Sequence, residues 1–580
     1  MNLHAIYHEP KSRYSYAADS FTLHIRLRAA AGDIQGIKLV AADPFSRFPD
    51  HNNSHTFDAE SVIETEMRRE YRDGLFDYWF CEIRSPTRRT RYAFVLDDGQ
   101  NRLCYGSSGF FGAPARIPED IDRFFNFPDI CDEDIYRAPE WVSGTVWYQI
   151  FPDAWGSLRS ITGGLSYIAG LGFNGIYLTP IFTSPSKHKY NTTDYFQIDP
   201  AFGTNEDFRE LVRTAHGLGI RVMLDAVFNH AGFSHPFFQD VVEKGKDSEY
   251  FDWFHILREP VLNFETVNGN PPELGREQMK NLPYRAFAFV AHMPKWNTAN
   301  PAARTYLLNI ARHWAEEYGI DGWRFDVSNE VSHDFWRETR KFLKALKPDI
   351  FLLGENWDDS MPWLCGDQFD SVMNYGLLDA VTGFCGVNPN GESLDAPGFR
   401  ERVTRKVLAA YPKPVQRVLF NMLDSHDTDR LITFCGGNID AAKLAYVIQM
   451  TMGGAPSIYY GGEAGMDGML RGNENRLCMV WDVSPEKDLR DFLKRLIALR
   501  KRHPSMREAD VEFLQCEGGF LFYRKRAEGE TLLVAVNRDH KSRSVELPAS
   551  PGGYTDAMTG EAVTGGHITL PGYGFALLLH

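Results

Sequence analysis

Between residues 145 and 462, short apolar runs recur at intervals along the chain. They are TVWYQIF (145–151), FNGIYLTP (173–180), IRVMLDAVF (220–228), IDGWRFDV (320–327), DIFLLGE (349–355), QFDSVMNY (368–375), RVLFNML (417–423) and PSIYYGG (456–462). Each is too short for a helix and too continuously apolar for a half-exposed strand, so each predicts a strand covered on both faces. Between them lie stretches with apolar residues at helical spacing, such as EDFRELVRTAHGLG (206–219) and PAARTYLLNIARHWAEEYG (301–319), both stopping at glycine. A further one, KDLRDFLKRLIALRKRH (487–503), follows the last run. Eight strand–helix units in succession predict an α/β chain whose parallel strands close into a (β/α)8 TIM barrel over 141–504. An open doubly wound sheet is the alternative, but no GxGxxG follows the first strand.

The flanks follow a different period. FTLHIRLRAA (21–30), FDYWFCEIRS (76–85) and TRYAFVLDDG (90–99) alternate apolar and polar residues, which predicts an N-terminal β-sandwich over 1–121. Residues 122–140 are acidic, contain proline and read as a linker. Residues 231–298 follow the third barrel strand with little periodicity and read as a small inserted domain, on the catalytic face of a barrel. From 505 to 580 the pattern is again that of an antiparallel β-domain, with GGFLFYRKRA, TLLVAVNRD and GFALLLH as its strands.

Composition narrows the function. A net charge of -15 and a pI of about 5.7 would repel a polyanion, which argues against nucleic acid as a partner. No apolar run reaches the length of a membrane span, so no membrane role is expected. The eight cysteines form no CxxC and no Cys/His cluster, so zinc is not indicated. Scattered thiols and an N-terminus without an apolar signal core lead to the expectation of a cytoplasmic protein.

The chemistry sits at the C-terminal ends of the strands, which share one cleft in a barrel. The third strand ends in Asp225, Asn229 and His230, the fourth in Arg324 and Asp326, and the fifth in Glu355. His426 and Asp427 follow the seventh. Each has an ordinary reading: an aspartate after a strand is usually a helix cap, an Arg-x-Asp usually an ion pair. Gathered at one end of successive strands, without paired metal-type histidines, they suit acid/base and nucleophilic work on a glycosidic bond. Arg324 stands two residues from Asp326, on the same strand face. It is expected to hold the Asp326 pKa down and fix its rotamer, as a nucleophile requires. Glu355 follows an apolar run and borders Trp357, a setting that suits the general acid. Asp427 is left to bind sugar hydroxyls, with His230 and His426 donating hydrogen bonds to the same ring.

DAVFNH (225–230), GWRFDVSNE (322–330), LLGENWDD (352–359) and MLDSHDTDR (422–430) resemble the motifs of the α-amylase family of glycoside hydrolases, family 13. HKYNTTDYFQIDPAFG (188–203) and GGAPSIYYGGEAGM (453–466) match as well. MPKWN (293–297), Asn329–Glu330 and the N-terminal segment resemble the neopullulanase, cyclomaltodextrinase and maltogenic amylase group in particular. The resemblance implies a retaining α-glucan hydrolase with Asp326 as nucleophile, Glu355 as acid/base and Asp427 as transition-state stabiliser. Tyr190, Asp225, Asn229, His230, Arg324, Asn329, Glu330, Trp357, His426 and Arg476 would bind substrate, with Tyr190 stacking on the sugar. Glu330 and Trp357 would lie on the leaving-group side. Substrates would be cyclodextrins, maltooligosaccharides and pullulan, and a homodimer would place Phe45 in the partner's cleft.

There are departures from the family. Relatives carry a long Asn/Asp-rich first barrel loop that can hold calcium. FPDAWGSLRSITGGL (151–165) is shorter and offers Asp153 with few other oxygens, so no calcium site and no cofactor are expected. RGNENRLCMVW (471–481) keeps Glu474 and Arg476 but carries Leu477 where a second arginine is common, and Asp358 replaces a common histidine. The shortened first loop and the 471–481 segment leave room for a hydrolase of unusual cyclic α-glucans, and an oligo-1,6-glucosidase or a glucoside isomerase on the same scaffold is a further alternative. A non-catalytic glucan-binding protein is the alternative of another class.

Overall fold

The computed structural model describes residues 1–45, 61–112, 123–550 and 552–580. The expected boundary at 121/122 lies outside the described residues. At the centre is an eight-stranded parallel sheet. Its strands are Trp147–Ile150, Gly175–Leu178, Arg221–Ala226, Gly322–Phe325, Phe351–Gly354, Ser371–Val372, Phe420–Met422 and Ala455–Tyr459. Seven fall inside the apolar runs, and the eighth begins one residue before its run. The eighth strand pairs with both the first and the seventh. A single parallel bridge between Met373 and Phe420 joins the sixth to the seventh and closes the barrel.

Barrel residues alternate between interior and helix layer, and the interior changes character along the strands. At the N-terminal end it is apolar: Trp147, Met223, Phe351, Met373 and Phe420 form one buried cluster, with Trp147 stacked on Phe351 at 6.0 Å. Two to four residues further on, the same inward rows carry Gln149, Asp225, Arg324, Asp326 and Glu355. The apolar end seals the barrel, and the polar end forms the floor of a cleft.

The helices are set by their ends. Ser157 caps Leu158–Leu171, which Gly172 stops in a left-handed conformation. Thr204 and Asp207 form a capping box on Asn205–Gly217. Ser332 caps His333–Leu346, placing that helix directly after the fourth strand.

The inserted stretch contains the helices Pro236–Lys244 and Arg276–Lys280 and is packed by aromatic contacts. Phe254 stacks on Trp296 at 4.5 Å, and Phe238 packs edge-on to both Phe254 and Tyr284. An isolated bridge ties Lys295 to His230 at the end of the third barrel strand.

The N-terminal region forms two packed antiparallel sheets. The stretch 122–140 differs from the linker reading. Phe125–Phe127 pairs antiparallel with Thr90–Asp97, and Phe125, Phe127, Ile130 and Ile135 are buried in the sandwich core. Apolar side chains spaced along an acidic segment give it a face to bury. The C-terminal part contains a six-stranded antiparallel sheet. Among the described residues, no helix is long and apolar enough to cross a membrane.

Candidate active site

Arg324 organises the site. Its side chain is fully buried, and it stands opposite Asp225 in the register of the third and fourth strands. Nη1 donates to both Asp225 oxygens at 3.0 and 3.1 Å and to Asp326 Oδ1 at 2.8 Å. Nη2 lies 2.8 Å from Glu355 Oε2. One guanidinium therefore spans three carboxylates, including both members of the expected catalytic pair. Glu355 is held from two further sides. The Val327 N–H donates to Oε2 at 3.0 Å, and the Tyr375 hydroxyl donates to Oε1 at 3.2 Å. Val327 has φ 44°, a strained conformation for a β-branched residue, and this bend puts its amide on the acid. Trp357, half-exposed, stacks on Tyr375 at 3.9 Å.

On the other side, Arg476 Nη2 donates to Asp427 Oδ1 at 3.1 Å, while its Nε holds the His426 carbonyl at 2.8 Å. The Gln149 side-chain amide donates to His426 Nδ1 at 2.9 Å. That leaves the proton on Nε2, which faces the Tyr190 hydroxyl at 2.5 Å and Asp427 Oδ2 at 3.0 Å. Tyr190 lies flat against His426, with ring planes 2° apart, and its hydroxyl donates to Asp225 at 2.9 Å.

Burial sets the electrostatics. It pushes the Asp326 carboxyl well above the usual carboxylate range, against the pull of Arg324, and the charges of Glu355 and Asp225 add to the rise. This corrects the expectation that Arg324 would hold Asp326 down: the ion pair forms, but desolvation outweighs it. Burial also raises Asp427, and it raises Asp225 to about 6. Asp225 and Asp326, held on the same guanidinium, are thus both pushed towards keeping a proton. The histidines move the opposite way for the same reason. Burial lowers His230 to about 3, His188 to about 4 and His426 well below its ordinary value. All three are neutral hydrogen-bonding groups at neutral pH.

A cavity of about 510 Å³ opens over this floor. Asp326, Glu355 and Asp427 all line it, with Tyr190, His230, Asn329, Glu330, Trp357 and Arg476. Asp225, Asn229, Arg324 and His426, expected to bind substrate, are almost completely buried beside it and hold the lining groups. His188, Phe287, Met293 and Val327 also line the cavity and were not singled out from sequence. His188 and Met293 lie inside matched motifs, which was a usable signal. Phe287, stacked on His230 at 5.2 Å, lies in the aperiodic insertion and had none. Lys295 was also missed; its ammonium donates to Asn229 Oδ1 at 2.7 Å and to Glu330 Oε2 at 3.0 Å.

Two expectations fall outside this cavity. Phe45 is exposed on the N-terminal sandwich, under the Arg89 guanidinium at 5.1 Å. The first barrel loop is a single turn, Pro152–Trp155, followed almost at once by the next helix. Its one carboxylate, Asp153, is exposed, and such a loop does not fit a cation that takes six to eight oxygens.

Residues 146–509 match the family described as "Alpha amylase, catalytic domain". The chain belongs to the α-amylase family. Residues 1–131 of this family member match "Alpha amylase, N-terminal ig-like domain", and 522–579 match "Beta-galactosidase C-terminal domain". It is 43% identical to a cyclomaltodextrinase of Geobacillus thermopakistaniensis (strain MAS1), over 100% of this chain and 99% of the relative. It is 40% identical to a maltogenic α-amylase of Bacillus acidopullulyticus, over 94% and 93% of the two. A solved cyclomaltodextrinase superposes with a TM-score of 0.88 at 38% identity, covering 100% of both chains. This α-amylase-family protein is a glycoside hydrolase of α-glucans, in the neopullulanase, cyclomaltodextrinase and maltogenic amylase group.

Proposed function

We propose that the enzyme cleaves α-1,4 and also α-1,6 glucosidic bonds in cyclodextrins, maltooligosaccharides and pullulan, with retention of configuration and some transglycosylation. The carrying observation is Arg324 bridging Asp326 and Glu355. A retaining pair stands roughly 5–5.5 Å apart, whereas an inverting pair is spread to roughly 6.5–9.5 Å to admit a water. Two carboxylates on adjacent nitrogens of one guanidinium favour the close class.

In the first step Asp326 attacks the anomeric carbon as Glu355 passes its proton to the departing glucosidic oxygen, and the C–O bond breaks. In the second, Glu355 takes a proton from water, or from a sugar hydroxyl, which displaces Asp326. Asp427, oriented by Arg476 and His426, hydrogen-bonds hydroxyls of the sugar being transferred. Tyr190 provides the stacking face. Supporting donors already in place spare reorganisation at the transition state.

The test is the anomer of the first product, read by proton NMR during hydrolysis of β-cyclodextrin or maltotriose. The α-anomer is expected first; β-anomer first would refute retention. Glu355→Gln should lose roughly 10²–10⁴-fold in kcat. Panose from pullulan with rapid cyclodextrin opening is the expected profile, and glucose released only from α-1,6 ends would point to an oligo-1,6-glucosidase.

We further propose a cytoplasmic homodimer in which Phe45 contacts the partner's cleft, supported by the exposure of that ring and by eight unpaired cysteines. Sedimentation of wild type and Phe45→Ala tests the dimer.

A further inference from the structure

Lys189 stands between two residues that line the catalytic cavity, His188 and Tyr190, and its φ is 64°. A positive φ is uncommon outside glycine, and it persists only where the surroundings hold it. We propose that Lys189 is a positioning residue: its buried ammonium, anchored on Asp199, pins this left-handed turn and so presents the His188 and Tyr190 rings together to the sugar at the cleaved bond. The inference rests on the function proposed above.

The anchoring is specific. Lys189 is 7% exposed, and a lysine is rarely so buried unless it is paired. Its Nζ lies 2.8 Å from Asp199 Oδ2, donates to the Ser184 carbonyl at 3.1 Å and stands 5.3 Å from the centre of the Phe202 ring. Asp199 is fixed in turn by the N–H groups of Ser184 at 3.0 Å and Ala201 at 2.9 Å. The side chain thus ties the turn to the exit of the strand Asp194–Ile198, while its two neighbours in sequence line the cavity. The backbone of Lys189 is held as well. Its N–H donates to Ser186 Oγ at 3.1 Å, and its carbonyl accepts from Thr192 Oγ1 at 3.1 Å.

The turn fixes both rings. The Tyr190 N–H donates to His188 Nδ1 at 3.0 Å, which leaves the His188 proton on Nε2. The two rings stand 5.9 Å apart with their planes 29° from parallel. The Tyr190 carbonyl accepts from His230 Nε2 at 3.0 Å, and its hydroxyl meets Asp225 at 2.9 Å and His426 at 2.5 Å. Rotating φ at residue 189 to the ordinary negative range swings Tyr190 relative to His188 and breaks the bond to Nδ1. The stacking face then moves with it.

The experiment measures KM and kcat for maltotriose, with urea unfolding, in wild type, Lys189→Met and Lys189→Gly. Methionine keeps the apolar stem and removes the ammonium, so the turn keeps its strain and loses its pin. Glycine also loses the pin but adopts φ 64° without strain. In Lys189→Met, KM is expected to rise and kcat/KM to fall about 10- to 100-fold, the effect of misplacing a substrate-contacting group by about 1 Å. The fall in Lys189→Gly is expected to be smaller, although glycine deletes the whole buried side chain. Ordinary packing predicts the opposite order, and partial unfolding lowers kcat while leaving KM unchanged. An unchanged KM in Lys189→Met, or a Lys189→Gly enzyme more impaired than Lys189→Met, overturns the proposal while leaving the hydrolase reading intact. If wild type does not cleave maltotriose, both fall together.

Discussion

Replacing Arg324 by lysine probes the centre of the argument. The guanidinium faces Asp225, Asp326 and Glu355 at 2.8–3.1 Å with no exposed surface. Lysine keeps the charge but gathers its three donors on one nitrogen without the planar fork that spans three carboxylates, and the loss of two of the contacts is expected. A hydrogen bond to a charged group contributes about 1.5–3 kcal/mol, so two lost contacts amount to about 3–6 kcal/mol. Taken up in the transition state, that is a fall in kcat of about 10²- to 10⁴-fold. The pH profile should move as well. Arg324 lowers the Asp326 pKa, and the nucleophile must be ionised, so weakening that pull shifts the acid limb of kcat/KM to higher pH. Arg324→Met should further cost about 3–5 kcal/mol of stability, because it leaves buried carboxylates without a cation. Initial rates of reducing-sugar release from maltotriose across pH, with urea unfolding of the same variants, test both parts. Arg324→Lys with kcat within tenfold of wild type and an unmoved acid limb would refute the reasoning.

Lys295→Met frees Glu330, a residue at the mouth of the cavity. Because Glu330 is partly exposed, stability should change by no more than about 1 kcal/mol, while the ratio of transglycosylation to hydrolysis of maltotriose should shift by chromatography. His230 titrates at about 3 in the folded state against 6.5 unfolded, so its neutral form stabilises the protein above pH 6.5 and that stability is lost as pH falls towards 3. In His230→Asn the rise of unfolding free energy with pH across this window should be shallower by up to about 1.4 kcal/mol per pH unit, measured by urea titration. Treatment with EDTA should leave activity and melting temperature unchanged, and a loss restored by calcium would overturn the account of the first loop.

Much of this architecture could be read before any coordinates. Barrel strands are buried on both faces, so their residues are apolar without a break, and all eight appeared as runs. The three carboxylates could be picked out because strand ends in such a barrel face one cleft. The insertion resisted reading because side-chain contacts such as Phe254–Trp296 have no sequence period. The strand Phe125–Phe127 was missed because its alternation covers three residues in an acidic, proline-containing stretch. Arg324 was rightly paired with Asp326, since residues two apart share a strand face. The sign of the Asp326 shift was misjudged, because desolvation depends on everything packed around it.

The order of apolar runs and the residue types at their ends are short-range properties, carried by periods of 2 and 3.6 residues, and the chain alone settles them. Which of those residues touch substrate is a different matter. Arg324 reaches Asp225 across 99 positions, and Tyr190 reaches His426 across 236. Barrel closure sets those distances and buries Asp225, Asn229, Arg324 and His426 beside the cleft. Local periodicity carries no information about separations between strands, so the electrostatics and shape of the site exist only once the barrel has closed.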